Sequence, residues 1–382
     1  MKNVKGQYFT KNEMLKEKLC SFILNNPNRI LEPSVGQGDL VDFVVSKYPD
    51  INFDMYEIDA SVELLGTIQK NIVIYGDFLK QPITQSYKTI IGNPPFIKKT
   101  TGNLYIDFIK KCYALLEPAG ELIFIVPSDF LKLTCAVKIL NEMMLNGTFT
   151  HIFHPHDEKL FENASIDVII FRYCKNALLE KTTLYNGNIM YISNSDGLIT
   201  FSENKHTDTI RFNEYFNVYV GMVSGKEGIY KNKDLGNIEV LNGENKKEKY
   251  IYIDKYPCGN KEIDEFLLNN KQCLMRRGIK KYNELNWFEW GAPRNITSIE
   301  ENINKECIYL CNLTRAKNVA FAGNVGYFGG SLIMLIPKKN IDLSNIIKYL
   351  NSSTFKNNFI FSERFKIGHR QISNSYIPNE YL

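Results

Sequence analysis

Seven short runs rich in β-branched and aromatic residues alternate with helix-like segments over the first 175 residues, and this alternation limits the possible folds more than any other feature. The runs are 28–34, 52–59, 71–78, 88–96, 120–128, 150–156 and 165–173, with helical patterns over 13–24, 39–47 and 105–116 between several of them. Strands that read as near-continuous apolar stretches separated by crossover helices predict an α/β fold whose doubly wound, mostly parallel sheet is covered on both faces. The last two runs are joined by a loop with no clear helix, which predicts that the final strand inserts antiparallel.

From about 176 the pattern changes. Residues 176–210 carry short polar strands and turn clusters such as "NSDG", and read as a connection to a second unit. Beyond 211 aromatic and basic residues interleave irregularly. The expected division is 1–200 and 201–382, which suits the 382-residue length.

The net charge of +4 conceals an asymmetry: residues 1–180 carry 19 Lys+Arg against 21 Asp+Glu, leaving 27 against 21 for the remainder. A basic second half permits a polyanionic partner without requiring one. Eight cysteines lie scattered with no CxxC pair, which fits free thiols in a reducing compartment better than a disulfide framework or a zinc ribbon. His151, His154 and His156 read as a strand and the turn after it, so no metal is expected. No apolar run approaches the about 20 residues needed to cross a bilayer, so no membrane partner is expected. The expected location is the cytoplasm of a bacterium or of a virus's host, in keeping with the Lys-, Asn- and Ile-rich usage of an AT-rich genome.

Ligands of doubly wound sheets collect at the carboxyl ends of the strands. Four successive runs end there in polar or glycine-containing clusters: "EPSVGQG" (32–38), "YEID" (56–59), "GDFL" (76–79) and "NPPF" (93–96). Gly36 and Gly38 suit close backbone approach to a ligand, and Glu57 suits a ribose diol, although Val41 stands where a GxGxxG pattern has its third glycine. The two prolines of NPPF stop regular structure, because neither can donate a backbone hydrogen bond.

With "GQYFT" (6–10), these motifs resemble, in order, the S-adenosylmethionine-dependent N6-adenine DNA methyltransferases that carry a C-terminal target-recognition domain. The resemblance runs through the first 175 residues. It implies a seven-stranded Rossmann-like methyltransferase sheet, a second α+β DNA-recognition domain, and double-stranded DNA as partner, with a restriction endonuclease, where one exists, on a separate chain. It assigns Thr10 to the methionine end of the cofactor, Glu32 to its ammonium side, Gly36 and Gly38 to close backbone approach, and Glu57 to the ribose. Ile58, Asp77 and Phe78 are assigned to the cofactor's adenine, while Tyr8 and Phe9 seal the pocket.

An adenine amino group is a poor nucleophile because its lone pair is delocalised into the ring. Two neutral acceptors, the Asn93 side-chain carbonyl and the Pro94 backbone carbonyl, can hold both amino hydrogens and direct that lone pair. Phe96 then stacks on the base, and the resemblance adds Phe161 as a second aromatic. The family often has Tyr where this chain has Phe96; stacking survives and a hydroxyl contact is lost. A base inside a duplex cannot reach such a pocket, so flipping is implied.

In the second half, Arg276, Arg277, Lys280, Lys281 and Arg294, with Trp287 and Trp290 nearby, and later Arg315, Lys317 and Arg370, are candidates for DNA contacts. The alternatives are a methyltransferase acting on an RNA base or a protein glutamine, which use similar amine clamps, and a non-enzymatic DNA-binding protein on a methyltransferase scaffold.

Overall fold

The computed structural model describes residues 8–162, 165–205 and 209–382. Gly6 and Gln7 of the GQYFT motif, and positions 163 and 164 before the seventh predicted strand, lie outside these residues. The chain divides into two units: unit 1 is Met1–His206 with Phe361–Glu363, and unit 2 is Thr207–Ile360 with Arg364–Leu382.

Unit 1 follows the alternation read from the sequence. Helix α1 (Glu13–Ser21) leads into β1 (Arg29–Glu32), α2 (Asp39–Lys47), β2 (Asn52–Glu57), β3 (Val73–Tyr75) and β4 (Tyr87–Gly92). A small hairpin, β5 (Lys98–Lys99) and β6 (Gly102–Asn103), precedes α3 (Leu104–Leu115), β7 (Leu116–Pro127), α4 (Val137–Asn146), β8 (Thr148–Phe153) and β9 (Val168–Cys174). Strands β3, β2, β1, β4 and β7 are parallel neighbours. As predicted, β9 inserts antiparallel, between β7 and β8.

The apolar runs are continuous because consecutive residues serve opposite faces of this sheet. Leu31, Ile90, Leu122, Phe124 and Phe171 pack on one side with Ile109 of α3 and Leu140 of α4. Ile30, Ile91, Ile123, Ile125 and Ile170 pack on the other with Leu19 of α1 and Val44 of α2.

The sheet is larger than the seven strands expected. Residues 182–202, read from the sequence as a connection, add β10 (Thr182–Tyr185), β11 (Asn188–Ser195) and β12 (Leu198–Ser202), giving ten strands in the order β12-β11-β10-β8-β9-β7-β4-β1-β2-β3. Two-residue turns join the added strands, Asn186-Gly187 and Asp196-Gly197, all four residues at positive φ. That backbone twist matches two right-twisted antiparallel strands and favours the Asn-Gly and Asp-Gly pairs found here. These dipeptides were the signal available in the sequence.

Unit 2 is α+β. Its main sheet is antiparallel, in the order Phe216–Val220, Leu332–Pro337, Glu306–Cys311, Ala320–Asn324. A core containing Tyr230, Trp287, Trp290 and Phe328 packs with helix Lys261–Asn269 and the hairpin Ile238–Gly243/Lys246–Tyr250.

Candidate active site

Because β1, β2, β3 and β4 are parallel, the segments following them emerge at one sheet edge. The glycine loop after β1 is held in shape by Glu57 at the tip of β2. One carboxylate oxygen accepts from the Gly36 N–H at 2.9 Å and the other from the Asp59 N–H at 2.9 Å. Gly38, at φ 96°, starts α2, and a Cβ there would lie 1.9 Å from Ile68 Cδ1. At Gly36 a Cβ would crowd the Phe9 ring at 3.2 Å, so Phe9 closes over this loop.

Glu32 ends β1 with its carboxyl buried, accepting from the Ser34 N–H at 3.0 Å. Burial pushes its pKa up to about 8, against the opposing pull of the Ser34 hydrogen bonds. Such a group takes its charge readily only when a cation arrives beside it.

Ile58, just beyond β2, is 69% exposed, an apolar side chain offered at the edge. Asp77 caps the short turn after β3 by accepting from the Leu79 N–H at 3.0 Å, and its side chain stays about one-third exposed. Phe78 differs from expectation. It is 2% exposed, stacks on Phe108 with centroids 5.5 Å apart, and has the Lys111 ammonium 4.6 Å from its centroid. Its ring is core, since the apolar helix α3 packs over that turn, and it is withdrawn from the cofactor set.

The NPPF segment follows β4. The Asn93 amide nitrogen donates to the Tyr8 carbonyl at 2.7 Å and to Thr10 Oγ1 at 3.0 Å. Its Oδ1 is buried and has no hydrogen-bond partner among the described residues. Pro94 is buried, and none of the backbone hydrogen bonds outside the strands goes to its carbonyl among the described residues. Around Phe96 the aromatics form a cluster: Tyr8 stacks on it, while Phe161 and Tyr105 meet it edge-on with centroids 6.1 Å away. Phe161 is buried and also packs against Tyr8 at 5.8 Å. Thus Asn93, Pro94, Phe96, Phe161, Tyr8 and Thr10 lie together after β4.

One feature of the same edge escaped the sequence reading. His154, after β8, has its Nε2 2.7 Å from Asp167, just before β9, and Asp167 also accepts from Ser128 Oγ at 2.7 Å and from the Ser362 N–H at 3.1 Å. Burial acts to raise the Asp167 pKa, but the bonds from His154, Ser128 and Ser362 outweigh it and hold the carboxyl below its ordinary value. His154 is therefore a buried structural partner. No group of His, Cys, Asp and Glu among the described residues has the arrangement of a metal site.

In unit 2 the basic candidates separate. Arg276, Lys281, Arg294, Arg315 and Lys317 are exposed, and Arg370 is half-buried. Lys280 is ion-paired with Glu289 at 2.6 Å. Arg277 is a correction: it is 8% exposed, and its guanidinium donates to the carbonyls of Leu274, Ser224, Glu289 and Trp287 while lying 3.9 Å from the Tyr282 ring centroid. It organises the loop around it. Trp287 and Trp290, each 2% exposed, are core residues and not wedges for a groove.

Comparison with known proteins agrees with the sheet and the motifs. Residues 66–161 match the family described as Eco57I restriction-modification methylase. The Type II methyltransferase M.HincII of Haemophilus influenzae is 29% identical over 203 residues, covering 47% of this chain and 39% of that protein. The modification methylase CviBIII of Paramecium bursaria Chlorella virus NC1A is 30% identical over 148 residues, covering 33% and 39%. The chain thus spans about two-fifths of the length of these curated relatives. Among solved structures, that of the Type IIL restriction-modification enzyme MmeI in complex with DNA matches 96% of this chain and 64% of that one, with TM-score 0.61 and 11% identity.

Unit 1 therefore carries a doubly wound, Rossmann-like α/β fold, shared with that restriction-modification enzyme. Residues 66–161 are similar to the Eco57I restriction-modification methylase family, and the resemblance seen in the sequence agrees with that similarity.

Proposed function

We propose that this chain is a site-specific DNA methyltransferase that methylates N6 of an adenine flipped out of double-stranded DNA, with S-adenosylmethionine as cofactor. The observation that carries the reading is the Asn93 side chain, whose amide hydrogens are both engaged while its carbonyl oxygen is buried with no partner among the described residues. A buried acceptor left unpaired is costly, on the order of 1–3 kcal/mol, so such a group points to an intended donor. An exocyclic NH2 is such a donor, and the Pro94 carbonyl is a second neutral acceptor for its other hydrogen.

The cofactor fits the residues present. Gly38, where a Cβ would strike Ile68, starts a helix at the ligand edge; Glu32 offers a buried carboxyl to an ammonium; and Ile58 offers an exposed apolar surface. When bound, S-adenosylmethionine supplies an electrophilic methyl group. Asn93 and Pro94 grip the amine and orient its lone pair, and Phe96 and Phe161 hold the base by stacking and edge contact, worth about 1–3 kcal/mol for a stacked base. No general base is required, because the amine becomes acidic once it is alkylated.

Unit 2, with Arg276, Lys281, Arg294, Arg315, Lys317 and Arg370, is the proposed reader of the DNA, Lys280 joining if it leaves Glu289. A cognate endonuclease on a separate chain is compatible with this reading. The proposed location is a bacterial cytoplasm or a virus's host cell.

The test is methyl transfer by the full chain from labelled S-adenosylmethionine to plasmid DNA, followed by base-modification sequencing. N6-methyladenine at one motif is expected, and Asn93→Ala should reduce the rate by about 10²-fold or more while S-adenosylhomocysteine still binds. Methylation of RNA or of a glutamine amide, or full activity of the variant, overturns the proposal.

A further inference from the structure

We infer that Thr10 is a positioning residue that fixes the orientation of the Asn93 carboxamide; the inference rests on the amine-clamp reading above. A primary amide can sit in two orientations related by a half-turn, nearly identical in shape and opposite in hydrogen bonding. Only one presents an oxygen to an incoming amine. The other presents N–H to N–H and repels it.

The Tyr8 carbonyl can only accept, so the group facing it at 2.7 Å must be the amide nitrogen. That single bond selects the orientation but leaves the amide free to swing about it. Thr10 Oγ1, on a side chain 4% exposed, takes the second amide hydrogen at 3.0 Å. Two anchors define the amide plane, and the buried Oδ1 is the group they leave for a ligand. Both anchors come from a segment more than 80 residues earlier in the chain. The Thr10 hydroxyl, which the motif resemblance places at the cofactor, is thereby tied to the side of the site that grips the base.

The experiment compares wild type, Thr10→Val, Thr10→Ser and Asn93→Ala in the full chain, measuring kcat, the KM for DNA, S-adenosylhomocysteine affinity by calorimetry, and the melting temperature. Thr10→Val is expected to lower kcat by about tenfold or more, a larger factor than any it causes in S-adenosylhomocysteine affinity, and Thr10→Ser to restore kcat. If Thr10→Val does not fold, Thr10→Ala carries the same expectation. A wild-type kcat in the hydroxyl-free variant beside an inactive Asn93→Ala overturns the positioning role and leaves the clamp standing. Lost cofactor-product affinity with unchanged kcat reassigns Thr10 to the cofactor. An inactive wild type removes the clamp reading itself.

Discussion

The ring of Tyr8 stacks on that of Phe96, centroids 5.5 Å apart and planes 28° apart. Phe161 and Tyr105 meet Phe96 edge-on at 84°, so the face-to-face partner of Phe96 within this cluster is Tyr8. Stacking of this kind is what a flipped adenine requires of Phe96.

If the base seats on that face, Tyr8 must yield it. Tyr8→Ala is then expected to increase the fluorescence of 2-aminopurine placed at the methylated position, since the competitor for the stack is gone, while Tyr8→Phe behaves as wild type. Unchanged fluorescence in the alanine variant would show that the base stacks elsewhere.

Glu32 should make cofactor binding pH-dependent. Burial raises its pKa to about 8, so near neutral pH the carboxyl is largely protonated, and pairing with an ammonium requires the anion. Affinity for S-adenosylhomocysteine is expected to rise between about pH 6 and about pH 8, with a proton released to buffer on binding near pH 7. The folded pKa lies above the unfolded value, so this group destabilises the fold progressively as pH rises from the unfolded value of 4.5 through about 8. Glu32→Gln should accordingly melt higher than wild type at about pH 8 and lose that advantage in acid. Calorimetry and thermal melts over that range check both signs.

Gly38→Ala forces a side chain into left-handed backbone and against Ile68. A loss of about 1–3 kcal/mol is expected, with weakened cofactor-product binding. Gly66, where an added Cβ meets nothing within 4 Å, provides the control substitution. Chemical denaturation of the two variants should separate them; equal stability would mean that the loop after β1 relaxes freely.

Arg276 and Arg277 are adjacent in sequence and should behave oppositely. Arg277→Ala strands four carbonyls and removes the cation over Tyr282, for an expected loss of about 3 kcal/mol or more. Arg276→Ala, at an exposed position, should leave stability within about 0.5 kcal/mol and weaken DNA binding, reducing the salt slope by about 1. Melting curves and binding titrations against salt decide the point. A salt slope that Arg276→Ala does not change removes that residue from the interface.

The buried pair of Arg172 and Glu121, 2.7 Å apart, ties β9 to β7, and Glu121 also accepts from the Leu24 and Asn25 N–H groups. Arg172→Leu leaves an uncompensated carboxylate and should cost about 3–5 kcal/mol. Urea denaturation measures it; a near-neutral change would show that water reaches Glu121.

The parallel strands, their order of appearance and the clusters at their ends were legible in the sequence, because alternation and motif spacing are local properties that survive without neighbours. Strands β10 to β12 were legible only as short polar strands in a connection, despite their Asn-Gly and Asp-Gly turns, because half-polar strands added at one end of a sheet resemble linkers until the sheet they extend is present. Charge and aromaticity were legible at 276–290, but not burial: four carbonyls converging on Arg277, or α3 laid over Phe78, exist only after the chain has folded. The sequence by itself determined that an Asn followed by two prolines ends the fourth run of the parallel sheet. Only the tertiary structure decided which way that amide points, since its orientation is set by a carbonyl and a hydroxyl distant in sequence, and hydrogen bonding, unlike periodicity, depends on what lies across space.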